Sequence, residues 1–107
     1  MKTGKLVRNG IPKKIMSMGG NPETRTLAFE EYREALKRKI SEEATEVKEA
    51  QNQTEIMNEL CDLLEVMMAL ANAYEVKWEW VETTRTYKKK DLGGFDDRVL
   101  LITEEDD

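Results

Sequence analysis

Ile56-Met57-Asn58-Glu59-Leu60-Cys61-Asp62-Leu63-Leu64-Glu65-Val66-Met67-Met68-Ala69-Leu70-Ala71 is the stretch that decides the fold. Its apolar residues take up most of the circumference of a helix, so such a helix must be covered on several sides. One amphipathic partner covers only one side. In a chain of 107 residues a second subunit is therefore expected to cover the rest, giving a four-helix-bundle core at an interface between copies.

The partner helix lies just upstream. Phe29, Tyr32, Leu36, Ile40, Val47 and Ala50 keep near-helical spacing over about 27–51, with Lys, Arg and Glu between them. Gln51-Asn52-Gln53 breaks this pattern, and Thr54 is a good N-cap for the second helix, which is expected to run to about 74. Trp78 and Val81 are expected packing residues of a third helix over about 76–90. Lys5 to Met16 reads as a short extended piece, an Asn9-Gly10 turn and a helical turn with Pro12 near its start, which Gly19-Gly20 stops. Asn21-Pro22 makes the following segment a loop, and Val99 to Ile102 is a candidate extended piece. The expected class is all-α: an antiparallel helix pair in an oligomer, a third helix and irregular termini, all in one domain over 1–107.

Composition narrows the chemistry. The chain has no His, which removes Ser-His-Asp and Cys-His catalysis and imidazole zinc sites. Cys61 is the single cysteine, so no internal disulfide forms, and a reducing cytoplasmic setting is the simplest assumption. It is expected to be a small buried thiol, and Met57, Met67 and Met68 are expected core filling. The longest apolar run, Val66 to Ala71, is far too short to span a membrane. The net charge of −5 argues against general nucleic-acid binding. Charge is unevenly placed, with +6 over 1–40, −9 over 41–82 and −2 over 83–107. The terminal Glu104-Glu105-Asp106-Asp107 reads as a frayed end.

The acidic middle carries the chemistry. Glu42, Glu43 and Glu46 stand on the first long helix, and i, i+3 spacing puts Glu43 and Glu46 on one face with Glu42 beside them. Glu59 and Asp62 repeat that spacing within the apolar helix, where burying unpaired carboxylates costs several kcal/mol each or forces protonation. Lys48 is the only basic residue in 41–76, too little to neutralise five carboxylates. A hard divalent cation takes oxygen ligands and tolerates this crowding, so Mg²⁺ is the first candidate, with Mn²⁺ as a substitute. Two antiparallel helices would bring the pairs face to face, making a rim that holds a polyphosphate through its metal. Glu-rich helices also produce such spacings as solvated faces.

Glu42-Glu43-Ala44-Thr45-Glu46, a twelve-residue spacer and Glu59-Leu60-Cys61-Asp62 together resemble the Glu-Glu-x-x-Glu, spacer, Glu-x-x-Asp pattern of the all-α nucleoside triphosphate pyrophosphohydrolases of the MazG and phosphoribosyl-ATP pyrophosphohydrolase type. The start, Lys5-Leu6-Val7-Arg8-Asn9-Gly10-Ile11-Pro12, resembles the Lys-Leu-Val-Arg-Asp-Lys-Ile-Pro opening of one branch, and Gly93-Gly94-Phe95 followed by Arg98 resembles its Arg-Gly-Gly-Phe ending. The resemblance implies that Glu43, Glu46, Glu59 and Asp62 bind Mg²⁺, with Glu42 helping to bind metal or activate water, so that Glu42 and Glu43 are the candidate catalytic residues. It implies hydrolysis between the α- and β-phosphates of a nucleotide, with Lys5, Arg8 and Lys88 as candidate phosphate contacts. Asn9-Gly10 and Leu92 depart from the pattern, standing where the branch has Asp-Lys and a basic residue.

The expected activity is Mg²⁺-dependent conversion of a nucleoside triphosphate to monophosphate and pyrophosphate, in the clearing of unwanted nucleotides. The expected partners are the nucleotide and further copies of the chain, as a homodimer or homotetramer, with neither nucleic acid nor membrane. The close alternative is the phosphoribosyl-ATP step of histidine biosynthesis. From other classes, the alternatives are a helical assembly protein with idle carboxylates and a nucleotide-binding protein without turnover.

Overall fold

The computed structural model describes residues 4–104, and the described residues are all-helical, with four helices and no strand. In chain order these are α1 (Ile11–Ser17), α2 (Phe29–Glu49), α3 (Gln53–Ala73) and α4 (Trp78–Leu92). The chain divides into two compact units, Met1–Glu75 and Val76–Asp107. No described helix is long and apolar enough to cross a membrane.

In the first unit, α2 and α3 pack as an antiparallel pair. Their closure is visible in one side chain. Arg33, near the start of α2, donates from Nε to the Ala73 carbonyl at the end of α3 at 3.0 Å. Its guanidinium also lies 4.5 Å from the ring centres of both Phe29 and Tyr74, a cation–π arrangement that covers the open end of the hairpin. Ala35, Leu36 and Ala73 are buried, and these small or medium side chains set a close approach of the two helices.

Helix ends follow local chemistry. α1 ends in a Schellman arrangement: the Gly20 amide donates to the Ile15 carbonyl and the Gly19 amide to the Met16 carbonyl, at 2.9 and 3.0 Å. Gly19 has φ +91°, and a Cβ on Gly20 would lie 2.5 Å from the Ile15 side chain, so both glycines are required there. α3 begins two residues earlier than the Thr54 cap predicts. Asn52 is the N-cap, its side-chain oxygen accepting from the Glu55 amide at 2.9 Å, while the Glu55 carboxylate accepts from the Gln51 amide at 2.7 Å. Asn52 thus satisfies the Glu55 amide and Glu55 the Gln51 amide, and a Thr54 cap would serve neither.

At the start of α2, Ala28 has no side-chain acceptor to offer. Glu31 instead returns to the Ala28 amide at 3.1 Å and is gripped by both Arg25 terminal nitrogens, at 3.2 and 2.8 Å. These bonds, first the one from Arg25 and then the one from Ala28, hold the Glu31 carboxyl down to about 2 from its ordinary 4.5. A lowered carboxyl pKa stabilises the fold above the ordinary value, and that contribution disappears as pH falls toward about 2. Glu31→Gln is therefore expected to lower the melting temperature at neutral pH, with its deficit against wild type shrinking as the pH is lowered from about 5 toward about 2. Circular-dichroism melts of both proteins check this.

Several expectations change in the folded chain. Met57, Met67 and Met68 are exposed in the protomer, and so is Cys61, so none of them belongs to the core of a single chain. All four lie on α3 away from the residues that lose solvent against α2. Val99 to Ile102, the candidate extended piece, lies outside any helix and is exposed. Glu105 to Asp107 of the acidic tail lie outside the described residues. Trp78 and Val81 are half-buried, as packing residues should be.

Candidate metal centre

The hairpin fixes the height of the carboxylates. Glu43 stands six residues before the end of α2, and Glu59 six residues after the start of α3. In an antiparallel pair both therefore sit about 9 Å from the connecting turn, at the same level. Asp62, one turn further along α3, points to the same side as Glu59.

Carboxylate oxygens of Glu43, Glu59 and Asp62 lie within 4.8 Å of one another, and all three side chains are half-buried. Partial burial pushes the Glu43 carboxyl up; Lys39 works against that shift, while the charges of Asp62, Glu59 and Glu46 add to it. A raised carboxyl pKa means the fold favours the protonated group, an advantage lost as pH rises through the folded value. At neutral pH the ionised Glu43 therefore carries a cost to the fold, which a further cation at the cluster would relieve.

The donor set fits a hard divalent cation. Three carboxylates from two helices supply oxygen ligands only, and ligand oxygens around Mg²⁺ at about 2.1 Å from the metal gather within about 4 Å of one another. Side-chain rotations closing the gap by less than about 1 Å meet that need.

Not all five predicted carboxylates converge. Glu42 is exposed and faces Lys39 at 3.4 Å, and Glu46 is exposed, outside the group of three although close enough to act on Glu43. The helical repeat explains Glu42: only one position of Glu42-Glu43 can point at α3, and Glu43 takes it.

Two cations compensate the cluster that a count over 41–76 leaves out. Lys39 is mostly buried and lies 3.4 Å from Glu42 and 3.8 Å from Glu43. Its i, i+3 and i, i+4 spacing was present in the sequence as the signal that could have found it. The other is Arg8, whose Nη2 donates to Asp62 Oδ1 at 2.8 Å across 54 residues of chain. Arg8 thus reaches the cluster. Lys5 is exposed on the same irregular segment. Lys88 belongs to the second unit, where it lines an open groove on α4 with Trp80, Val81, Thr84 and Arg85.

Residues 18–89, about two thirds of the chain, match the family model described as phosphoribosyl-ATP pyrophosphohydrolase. The matched region holds both carboxylate pairs and Lys88, and leaves out the opening around Lys5 and Arg8 and the Gly93-Gly94-Phe95 ending. No curated protein and no solved structure matches the chain.

Proposed function

The chain belongs to the phosphoribosyl-ATP pyrophosphohydrolase family, within the MazG-like superfamily, and on that premise we propose that it hydrolyses a nucleoside triphosphate between its α- and β-phosphates. The observation that carries this reading is the convergence of Glu43, Glu59 and Asp62 across the α2–α3 hairpin. Glu43, Glu59 and Asp62 would hold the cation, with Glu46 able to add a ligand from its place beside Glu43. When bound, Mg²⁺ or Mn²⁺ supplies charge for the phosphate oxygens and lowers the pKa of a water. Glu42, outside the group of three and beside Lys39, is the carboxylate assigned to take the proton of the attacking water. The water oxygen bonds to phosphorus, the phosphorus–oxygen bond to the β-phosphate breaks, and pyrophosphate leaves. Arg8, Lys5 and Lys88 are the cations of this chain assigned to the phosphates, by charge-assisted hydrogen bonds.

Both units form one working domain in this reading, because the family match crosses the boundary at residue 75. The protein works in the cytoplasm as a homodimer or homotetramer. Its outer α3 seam supports self-association: Met57, Leu60, Leu64 and Met67 follow the 3-4-3 spacing of bundle seams and are between 39% and 67% exposed in the protomer. A second reading, hydrolysis of phosphoribosyl-ATP, is favoured by the description of the matching family and uses the same chemistry.

The test is pyrophosphate release from normal and modified nucleoside triphosphates and from phosphoribosyl-ATP, with and without Mg²⁺ or Mn²⁺. Release is expected only with metal, and the best substrate decides between nucleotide clearing and histidine synthesis. A folded protein that releases none from any substrate would shift the reading to binding or assembly.

A further inference from the structure

We propose that Arg8 is a built-in counter-cation for Asp62, which a divalent metal displaces and which then turns to the phosphates that arrive with the metal. The inference rests on the metal reading above and adds to it an order of events: one carboxylate, two competing cations.

The geometry distinguishes Arg8 from the other compensating charge. Lys39 is carried on α2 itself, three and four residues before its partners, and is mostly buried, so its charge stays near Glu42 and Glu43. Arg8 approaches from the irregular segment before α1, and its side chain is 54% exposed against 37% for Asp62. An exposed pair of this kind is weak, so it yields readily to a better ligand for the carboxylate. Only Nη2 is engaged and only Oδ1 accepts, so the guanidinium keeps most of its donors for another anion. Arginine stays charged at every working pH, and its fork matches phosphate oxygens. The backbone at Arg8 turns directly into α1, the Ile11 amide donating to the Arg8 carbonyl at 3.1 Å. A guanidinium released from Asp62 is then available to the phosphates that arrive with the metal.

This arrangement predicts opposite effects on two ligands. Mn²⁺ binding without nucleotide, read from the electron paramagnetic resonance of unbound Mn²⁺, is expected to be about two- to fivefold tighter in Arg8→Gln than in wild type. Lys14→Gln, on α1, removes the same charge away from the pair and should leave Mn²⁺ affinity at the wild-type value. With Mn²⁺ saturating, binding of inorganic pyrophosphate should be about tenfold weaker in Arg8→Gln. A residue that merely anchored the N-terminal segment would weaken both ligands when removed. Mn²⁺ affinity that Arg8→Gln leaves unchanged or weakens, or equal tightening by Lys14→Gln, would overturn the counter-cation role while the metal reading stands. Pyrophosphate affinity unaffected by Arg8→Gln would overturn the transfer to phosphate. Absence of Mn²⁺ binding in all three proteins would overturn both this inference and the metal reading.

Discussion

Glu59→Gln is expected to bring metal-dependent pyrophosphate release down by more than about 100-fold. Even residues that only orient a metal ligand commonly cost about 10- to 100-fold when removed, so loss of a direct ligand should cost more. The replacement is nearly isosteric and leaves helix α3 intact, and it exchanges an anionic oxygen donor for a neutral amide. Stability should move in the opposite direction from activity. Glu59 is one of the anions pushing on Glu43, so the metal-free variant loses a repulsion and should melt at or above the wild-type temperature. Adding Mg²⁺ or Mn²⁺ should raise the melting temperature of wild type, because a ligand that binds only the folded state stabilises it. The same addition should do much less for Glu59→Gln. Two assays check the prediction: pyrophosphate release, and thermal melts with and without metal. A variant that keeps wild-type turnover would remove Glu59 from the site and with it the main support for the proposed chemistry.

The sequence is most legible where one residue's role depends on its own helix. The α2 and α3 patterns are set by periodicity, and the structure places these helices within two residues of the expected ends at most points. The pairing of Glu43 with Glu59 and Asp62 is also foreseeable, since equal distances from a short turn leave an antiparallel hairpin little choice. What periodicity cannot supply is rotation about the helix axis among adjacent acids. Glu42 and Glu43 are neighbours with the same chemistry, and their opposite surroundings depend on how α2 rolls against α3. The Asn52 cap is missed because Asn, Gln and Thr in a row offer competing starts, decided by the Glu55 carboxylate reaching back to Gln51.

Long-range electrostatics are the least legible part. Arg8 reaches Asp62 across 54 positions, and no local pattern announces that pair. The acidic segment itself contains Lys48 but neither Lys39, two residues before it, nor Arg8. The outcome bears on function as well as on fold. With Lys39 and Arg8 in place the cluster is partly compensated before any metal arrives, which limits the repulsion that three half-buried carboxylates impose on the metal-free protein.

Leu64→Glu is expected to take the protein apart into monomers. Among the described residues only Ala35, Leu36 and Ala73 are buried, and no large side chain is fully enclosed, so the protomer alone has a meagre core. Meanwhile Leu64 is 45% exposed at the middle of a seam whose spacing suits a second helix pair. In a symmetric interface the substitution occurs twice. Losing about 1.5 kcal/mol of apolar burial on each side corresponds to roughly 100-fold weaker association. Placing two carboxylates in the seam costs several kcal/mol more, so the weakening should exceed that figure. Light scattering should then give the monomer mass at concentrations where wild type is dimeric or tetrameric. In the proposed bundle the subunits supply each other's core, so the melting temperature of wild type should rise with protein concentration, and Leu64→Glu should melt lower at all concentrations. A wild type that is monomeric and melts independently of concentration would show that the α3 seam is not covered by a second copy. The carboxylates face α2 rather than this seam, so the metal site could survive that result, whereas the four-helix bundle could not.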